Sequence, residues 1–158
     1  MNTSKKTLIV FSGDLDRAMA AFIIANGAAA MGDEVTMFFT FWGLTILRKH
    51  VKSTAKKSLL QKMFGAMLPT GPARHGLSRM NFAGMGGVMM RRVMRQQNVS
   101  TLAELVATAQ EQGIKMVACT MSMDVMGFRP EELIDGLEFA GVATYLGEAD
   151  EANVNMFI

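Results

Sequence analysis

Only one cysteine, Cys119, stands in the 158 residues. With no second thiol the chain cannot close a disulfide on itself, which excludes a stapled secreted scaffold and fits a reducing compartment. No segment offers the roughly 18 uninterrupted apolar residues of a membrane span, although 50% of the chain is hydrophobic. The opening Met1-Asn2-Thr3-Ser4-Lys5-Lys6 leads straight into a strand-like run without a signal-peptide cleavage pattern, so a cytoplasmic location is expected. Histidine is scarce as well. His50 and His75 stand apart in basic surroundings without ligand spacing to Cys119, which argues against a zinc site. Ser12-Gly13-Asp14 has one glycine and no Lys-Ser/Thr pair, so it makes a poor phosphate loop and a good turn with an N-cap aspartate. No cofactor is implied. Internal repeats and low-complexity tracts are absent.

Acidic residues are missing from one whole third of the chain. Residues 51–98 carry nine Lys/Arg (Lys52, Lys56, Lys57, Lys62, Arg74, Arg79, Arg91, Arg92, Arg95) and no Asp or Glu. Residues 1–50 carry five against four, and 99–158 carry two against ten. The net charge of +2 therefore hides a basic module inside a more acidic chain. Little aromatic chemistry is interleaved with these cations, which argues against base stacking and a nucleic-acid partner.

What is present reads as α/β. Thr7–Phe11 is a strand ended by Ser12-Gly13-Asp14, and Leu15 to Met31 is helical with Gly32 as its stop. Glu34 to Phe41 forms a second buried strand, so the opening β-α-β implies a parallel, right-handed crossover. Leu59, Leu60, Met63, Phe64 and Met67 form the apolar face of a helix ending near Pro69. After the loop Thr70–Gly76, Phe82, Met85, Met89 and Val93 recur at three and four residues with Arg91, Arg92 and Arg95 toward the other side, a basic amphipathic helix. Ser100 is a good N-cap for a helix over Thr101–Gln112. Ile114–Cys119 reads as a buried strand, followed by a short helix near Ser122–Met126 and a helical turn at Pro130-Glu131-Glu132. Leu137-Glu138-Phe139 is a fourth strand. Val142, Tyr145, Leu146, Ala149 and Ala152 follow helical spacing, and Val154–Ile158 closes as a fifth strand. The length suits one domain, 1–158, with a helical basic Met-rich insert at about 51–98. Five mainly parallel strands with helices between them imply a three-layer sandwich.

The residues resemble the DsrE/DsrF-like family, which includes the TusD-type sulfur-relay subunits. The resemblance rests on Ser12-Gly13-Asp14, the run Ala20–Ala28, Phe39-Thr40-Phe41-Trp42-Gly43, and above all Ala118-Cys119-Thr120-Met121-Ser122-Met123-Asp124-Val125-Met126-Gly127 with Glu131-Glu132-Leu133. The ending from Glu148 through Phe157 also fits. Gly84-Met85-Gly86-Gly87 and Met89-Met90 resemble one subgroup of the family. The resemblance implies a small α/β subunit, commonly in trimers or hexamers, whose cysteine carries persulfide sulfur. Cys119 matches that cysteine by its strand-end position and by Gly127.

Two functions follow as expectations. In the first, a sulfur-transfer protein carries persulfide on Cys119, at the carboxyl edge of the sheet where open α/β folds place their chemistry. A following helix N-terminus favours thiolate over thiol. The N–H groups of Met121 and Ser122, with the hydroxyls of Thr120 and Ser122, are candidate anion stabilisers, while Ser122 is equally an ordinary N-cap. Ser12 and Gly13 could line the same cleft, and His75 could lie over the thiol. A TusA-like carrier or a rhodanese is the partner implied by the resemblance. In the second, a non-catalytic module docks on a membrane or redox partner through its Met-rich basic insert, and Cys119 only fills space. The methionines point first to core or subunit interface, then to a groove for a partner or membrane, and least to copper. A peripheral contact with the inner face of the membrane is a further expectation, and either reading implies a homo-oligomer.

Overall fold

Five strands form one parallel sheet in the order β4-β3-β2-β1-β5. In the computed structural model, which describes residues 3–51 and 56–158, they are β1 (Lys5–Val10), β2 (Glu34–Phe39), β3 (Lys115–Cys119), β4 (Glu138–Ala140) and β5 (Val154–Phe157). Met1, Asn2 and residues 52–55, Lys52 among them, lie outside the described residues. The helices are α1 (Leu15–Ala30), α2 (Leu59–Met67), α3 (Met85–Gln96), α4 (Leu102–Glu111), α5 (Thr120–Met126) and α6 (Val142–Glu151). The α/β class and parallel sheet expected from the sequence are those observed.

The chain steps outward from β1 through β2 and β3 to β4, then doubles back beyond β1 to form β5. Right-handed crossovers put the helices of the outward steps on one face and the helix of the return step on the other. Strand alternation agrees with this. Leu8 and Val10, Met37 and Phe39, Met116 and Ala118 join the large cluster with α1, α4 and α5. Phe38, Val117 and Cys119 point to the opposite face, where Tyr145 of α6 meets them. The central strand β2 is covered on both sides, so Val35 to Phe39 is a continuous apolar run broken only by Thr36.

The segment between β2 and α4 holds α2, α3 and their turns. Strand β2 ends two residues earlier than the apolar run suggests, because Phe41 takes a positive φ of 45° and opens a 3-10 turn over Phe41–Leu47. Leu44, Ile46 and Leu47 are fully buried there. Gly43 makes this return fit: a Cβ would fall 2.0 Å from the Val10 carbonyl oxygen. Arg48 then anchors α2. Its Nη1 donates to the carbonyls of Gly65, Leu68 and Pro69, each at 3.1 Å, where the helix C-terminus favours a cation. The Lys57 ammonium donates to both carboxylate oxygens of Glu132 at 2.6 Å, in a buried pair. Helix α4 begins one residue later than expected: Thr101, not Ser100, is its N-cap, with Glu104 closing a reciprocal capping box.

Candidate functional site

Cys119 is the last residue of β3 and the N-cap of α5. Its register partner is Ala140, the last residue of β4. From Cys119 the chain enters α5, whose Met123 and Met126 pack into the large core. From Ala140 it enters α6, whose Tyr145 packs on the other face. The two connections part between neighbouring carboxyl ends, which is the crevice where open α/β sheets place ligands.

The sulfur does not lie beside α5, however. Cys119 has the same parity as Val117, so its side chain points away from Ala118 and from α5, and makes no side-chain hydrogen bond to that helix's first turn. It is 3% exposed and shares a small cluster with Phe38, Val117 and Tyr145, edged by Ile9, Ala140 and Ala149. The amides of Met121 and Ser122, expected to stabilise the sulfur, make no hydrogen bond to it in this structure, and the cluster that holds it lies on the α6 side. The signal was in the alternation of Lys115, Val117 and Cys119. The helix that begins on the sulfur's side is α6, whose N-cap is Gly141 and whose first turn has no side-chain cap.

The other candidates divide into two groups. Thr120 and Met121 are exposed at the rim of the sheet. Ser122 is buried inside α5 rather than capping it, and its hydroxyl pairs with Thr40 Oγ1 at 2.7 Å, tying α5 to the end of β2. Ser12 and Gly13 line a cleft of about 460 Å³ with Trp42, Thr45 and His75, and Cys119 is not among its lining residues. The Ser12 hydroxyl donates to Asp14 Oδ2 at 3.0 Å and accepts from the Asp14 N–H at 3.1 Å, a local turn. His75 is 2% exposed, so it lies in that cleft's wall rather than over the thiol. Burial pushes the imidazole below its ordinary value, against the carbonyls of Gly13 and Thr45 and the carboxylate of Asp14. Its Nε2 has no hydrogen-bond partner among the described residues.

The DsrE/DsrF/DrsH-like family pattern covers residues 2–157. The chain belongs to this family. YrkE of Bacillus subtilis (strain 168), described as an uncharacterized protein, is 56% identical over 156 residues, spanning 99% of this chain and 98% of its own. The sulfur carrier protein DsrE2 of Allochromatium vinosum is 36% identical over 162 residues, spanning all of both chains. Among solved structures, the ychN protein of E. coli superposes with a TM-score of 0.56 at 10% identity, covering 99% of this chain and 100% of that one. MTH1491 of Methanobacterium thermoautotrophicum gives 0.59 at 11%, covering 98% and 99%. At those identities the two structures support the fold alone.

Within this DsrE/DsrF/DrsH-like chain the chemistry-bearing side chains are sparse. Among the described residues no three of His, Cys, Asp and Glu converge as a metal-binding group. No described helix is long and apolar enough to cross a membrane. The strand-end thiol and the Ser12–His75 cleft are separate sites, at the carboxyl ends of β3 and β1, with β2 between them.

Proposed function

We propose that the protein is a sulfur carrier in which Cys119 accepts sulfane sulfur and hands it to a partner thiol. The observation that carries this reading is the lone thiol at the β3–β4 crevice in a member of this family. The full-length similarity to a protein named as a sulfur carrier supports it. The Cys119 thiolate attacks the outer sulfur of a donor persulfide, forming a new S–S bond while the donor leaves as thiolate. The acceptor thiolate then attacks the outer sulfur of the Cys119 persulfide, and Cys119 departs as thiolate. One sulfur atom moves in each step, the electron count closes, and no external oxidant is required.

The partner under this reading is a TusA-like carrier or a rhodanese, and the working form is a homo-oligomer, a trimer or hexamer. A free thiol used in this way must stay reduced, so the protein acts in the cytoplasm. The Met-rich stretch Gly84–Met90 supports a place in the subgroup of the family with such an insert. Because Cys119 is covered, transfer requires the α6 side of the crevice to yield to the partner.

The test is intact-mass measurement after incubation with a sulfane donor. The wild-type chain should gain one sulfur atom, lost again on adding an acceptor thiol, and Cys119→Ser should gain none. Equal gain by both chains would end the proposal. The burial of Cys119 favours the rival reading, a non-catalytic interaction module. That reading requires Cys119 to stay inert toward a small thiol reagent in the native state and become reactive only on unfolding.

A further inference from the structure

Helix α3 is turned inside out. Met85, Met89 and Val93 recur every four residues on one face, and are 66%, 68% and 50% exposed. Met94, 7% exposed, and the buried Gly87 form the opposite face, toward the core. The side facing water is thus the more apolar one, the reverse of a soluble amphipathic helix. The turn before it continues the surface. Met80, Phe82 and Ala83 take positive φ values of 56°, 41° and 55°, conformations uncommon for such residues. These strained residues hold Phe82 out in solvent. Phe82, Met89, Met90 and Val93 line an apolar groove of about 520 Å³ against Arg79. Helix α2 repeats the pattern: none of its nine residues is buried, and Leu59, Leu60, Met63 and Met67 are exposed.

We infer that this surface docks on an anionic lipid membrane, with α3 lying in the interface. Charge chooses the occupant. Residues 51–98 carry nine cations and no Asp or Glu; Lys57 is taken up by Glu132, while Arg79, Arg92 and Arg95 are exposed beside the apolar face. Asp16, at the rim of the groove, is already tied by the Ser78 N–H at 2.9 Å and hydroxyl at 2.5 Å. A lipid surface presents one sign of charge over an apolar layer, and a predominantly basic rim around unbranched, adaptable methionines matches both. A second copy of the same face would set cation against cation, so the surface is ill suited to self-pairing. Basic residues within a Debye length of the membrane attract it, and the exposed Phe and Met side chains enter the acyl boundary.

The experiment is flotation of the full chain with vesicles of phosphatidylglycerol and phosphatidylcholine, compared with phosphatidylcholine alone. Binding is expected to the anionic vesicles and to weaken as salt rises. The double variant Arg92→Glu/Arg95→Glu should reduce it about tenfold or more, and Met85→Ser/Met89→Ser should reduce it comparably. All four positions are at the surface, and an unchanged circular-dichroism spectrum would verify the fold. The inference is overturned by no binding, by equal binding to neutral vesicles, or by indifference to both double variants. It is also overturned if the variants lower the solution mass without lipid, since the surface then holds a second copy. Failure with vesicles alongside tight binding to polyglutamate would assign the surface to an acidic protein instead. The sulfur measurement on Cys119 is independent of every one of these outcomes.

Discussion

His75 holds an uncharged ring in a wall where, among the described residues, its Nε2 has no partner. Burial disfavours the imidazolium more than the surrounding carbonyls favour it, so the folded chain binds its proton less readily than the unfolded chain does. Where the unfolded state binds more protons, stability rises with pH. The contribution is therefore present above the unfolded value of about 6.5 and is lost as pH falls from there toward the lower folded value. Urea midpoints measured between about pH 7.5 and pH 5.5 should fall more for the wild type than for His75→Phe. Equal losses in the two would mean that another group sets the acid limit. The sequence shows a histidine in a Gly- and Pro-bounded loop with arginine next to it, and nothing in that pattern marks it as buried. The loop is covered because Leu15 N–H donates to the Gly76 carbonyl at 2.7 Å and Arg91 to the His75 carbonyl at 3.0 Å. Both are long-range contacts that local chemistry does not record.

Helices were easy to find in this sequence and hard to orient. The spacing of Met85, Met89 and Val93 marks a helix and a face, but the same period describes a face turned to the core or to solvent. Only the position of Met94, drawn into the cluster with Leu102 and Val106, decides it. The early end of β2 has a similar cause, since Phe41, Leu44, Ile46 and Leu47 are as apolar in a buried 3-10 turn as in a strand. At the candidate site, the strand-end location of Cys119 is legible in the sequence, whereas the side on which its sulfur lies depends on which helix covers the face that Lys115, Val117 and Cys119 share. Helix α6 is the element that covers it. Tyr145 sits against Phe38 with ring centroids 5.2 Å apart, and its hydroxyl lies 3.3 Å from Thr7 Oγ1. Truncation in Tyr145→Ala should cost about 3 kcal/mol and speed native-state labelling of Cys119 by a small thiol reagent. Tyr145→Phe keeps the ring and should leave the rate close to that of the wild type. If Tyr145→Ala labels no faster, α6 does not gate the thiol.

The sheet is unevenly covered as a whole. Among the described residues, one face lies under α1, α4 and α5, while α6 alone covers the other, and only Tyr145 of α6 is buried. On that thin side Val142 and Leu146 recur at four residues on the outer surface of α6, and Phe157, the register partner of Ile9, is exposed on the edge strand β5. Three of the ten acidic residues of 99–158 are paired here: Lys115 meets Glu148 at 2.7 Å and Glu138 at 3.4 Å, and Lys5 meets Glu151 at 2.5 Å. This surface combines exposed apolar side chains with three paired carboxylates, which suits contact between copies, whereas the basic Met-rich surface repels its own kind. Self-association is expected through the α6 side, and light scattering should give a mass above that of one chain. Leu146→Glu replaces an exposed side chain, so the subunit keeps its fold while the contact loses about 2 kcal/mol of apolar burial. Dissociation should then occur at roughly thirtyfold higher protein concentration than in the wild type. A wild-type chain that stays monomeric at high concentration would leave α6 facing water, and the crevice holding Cys119 would then have to open without help from a neighbouring copy.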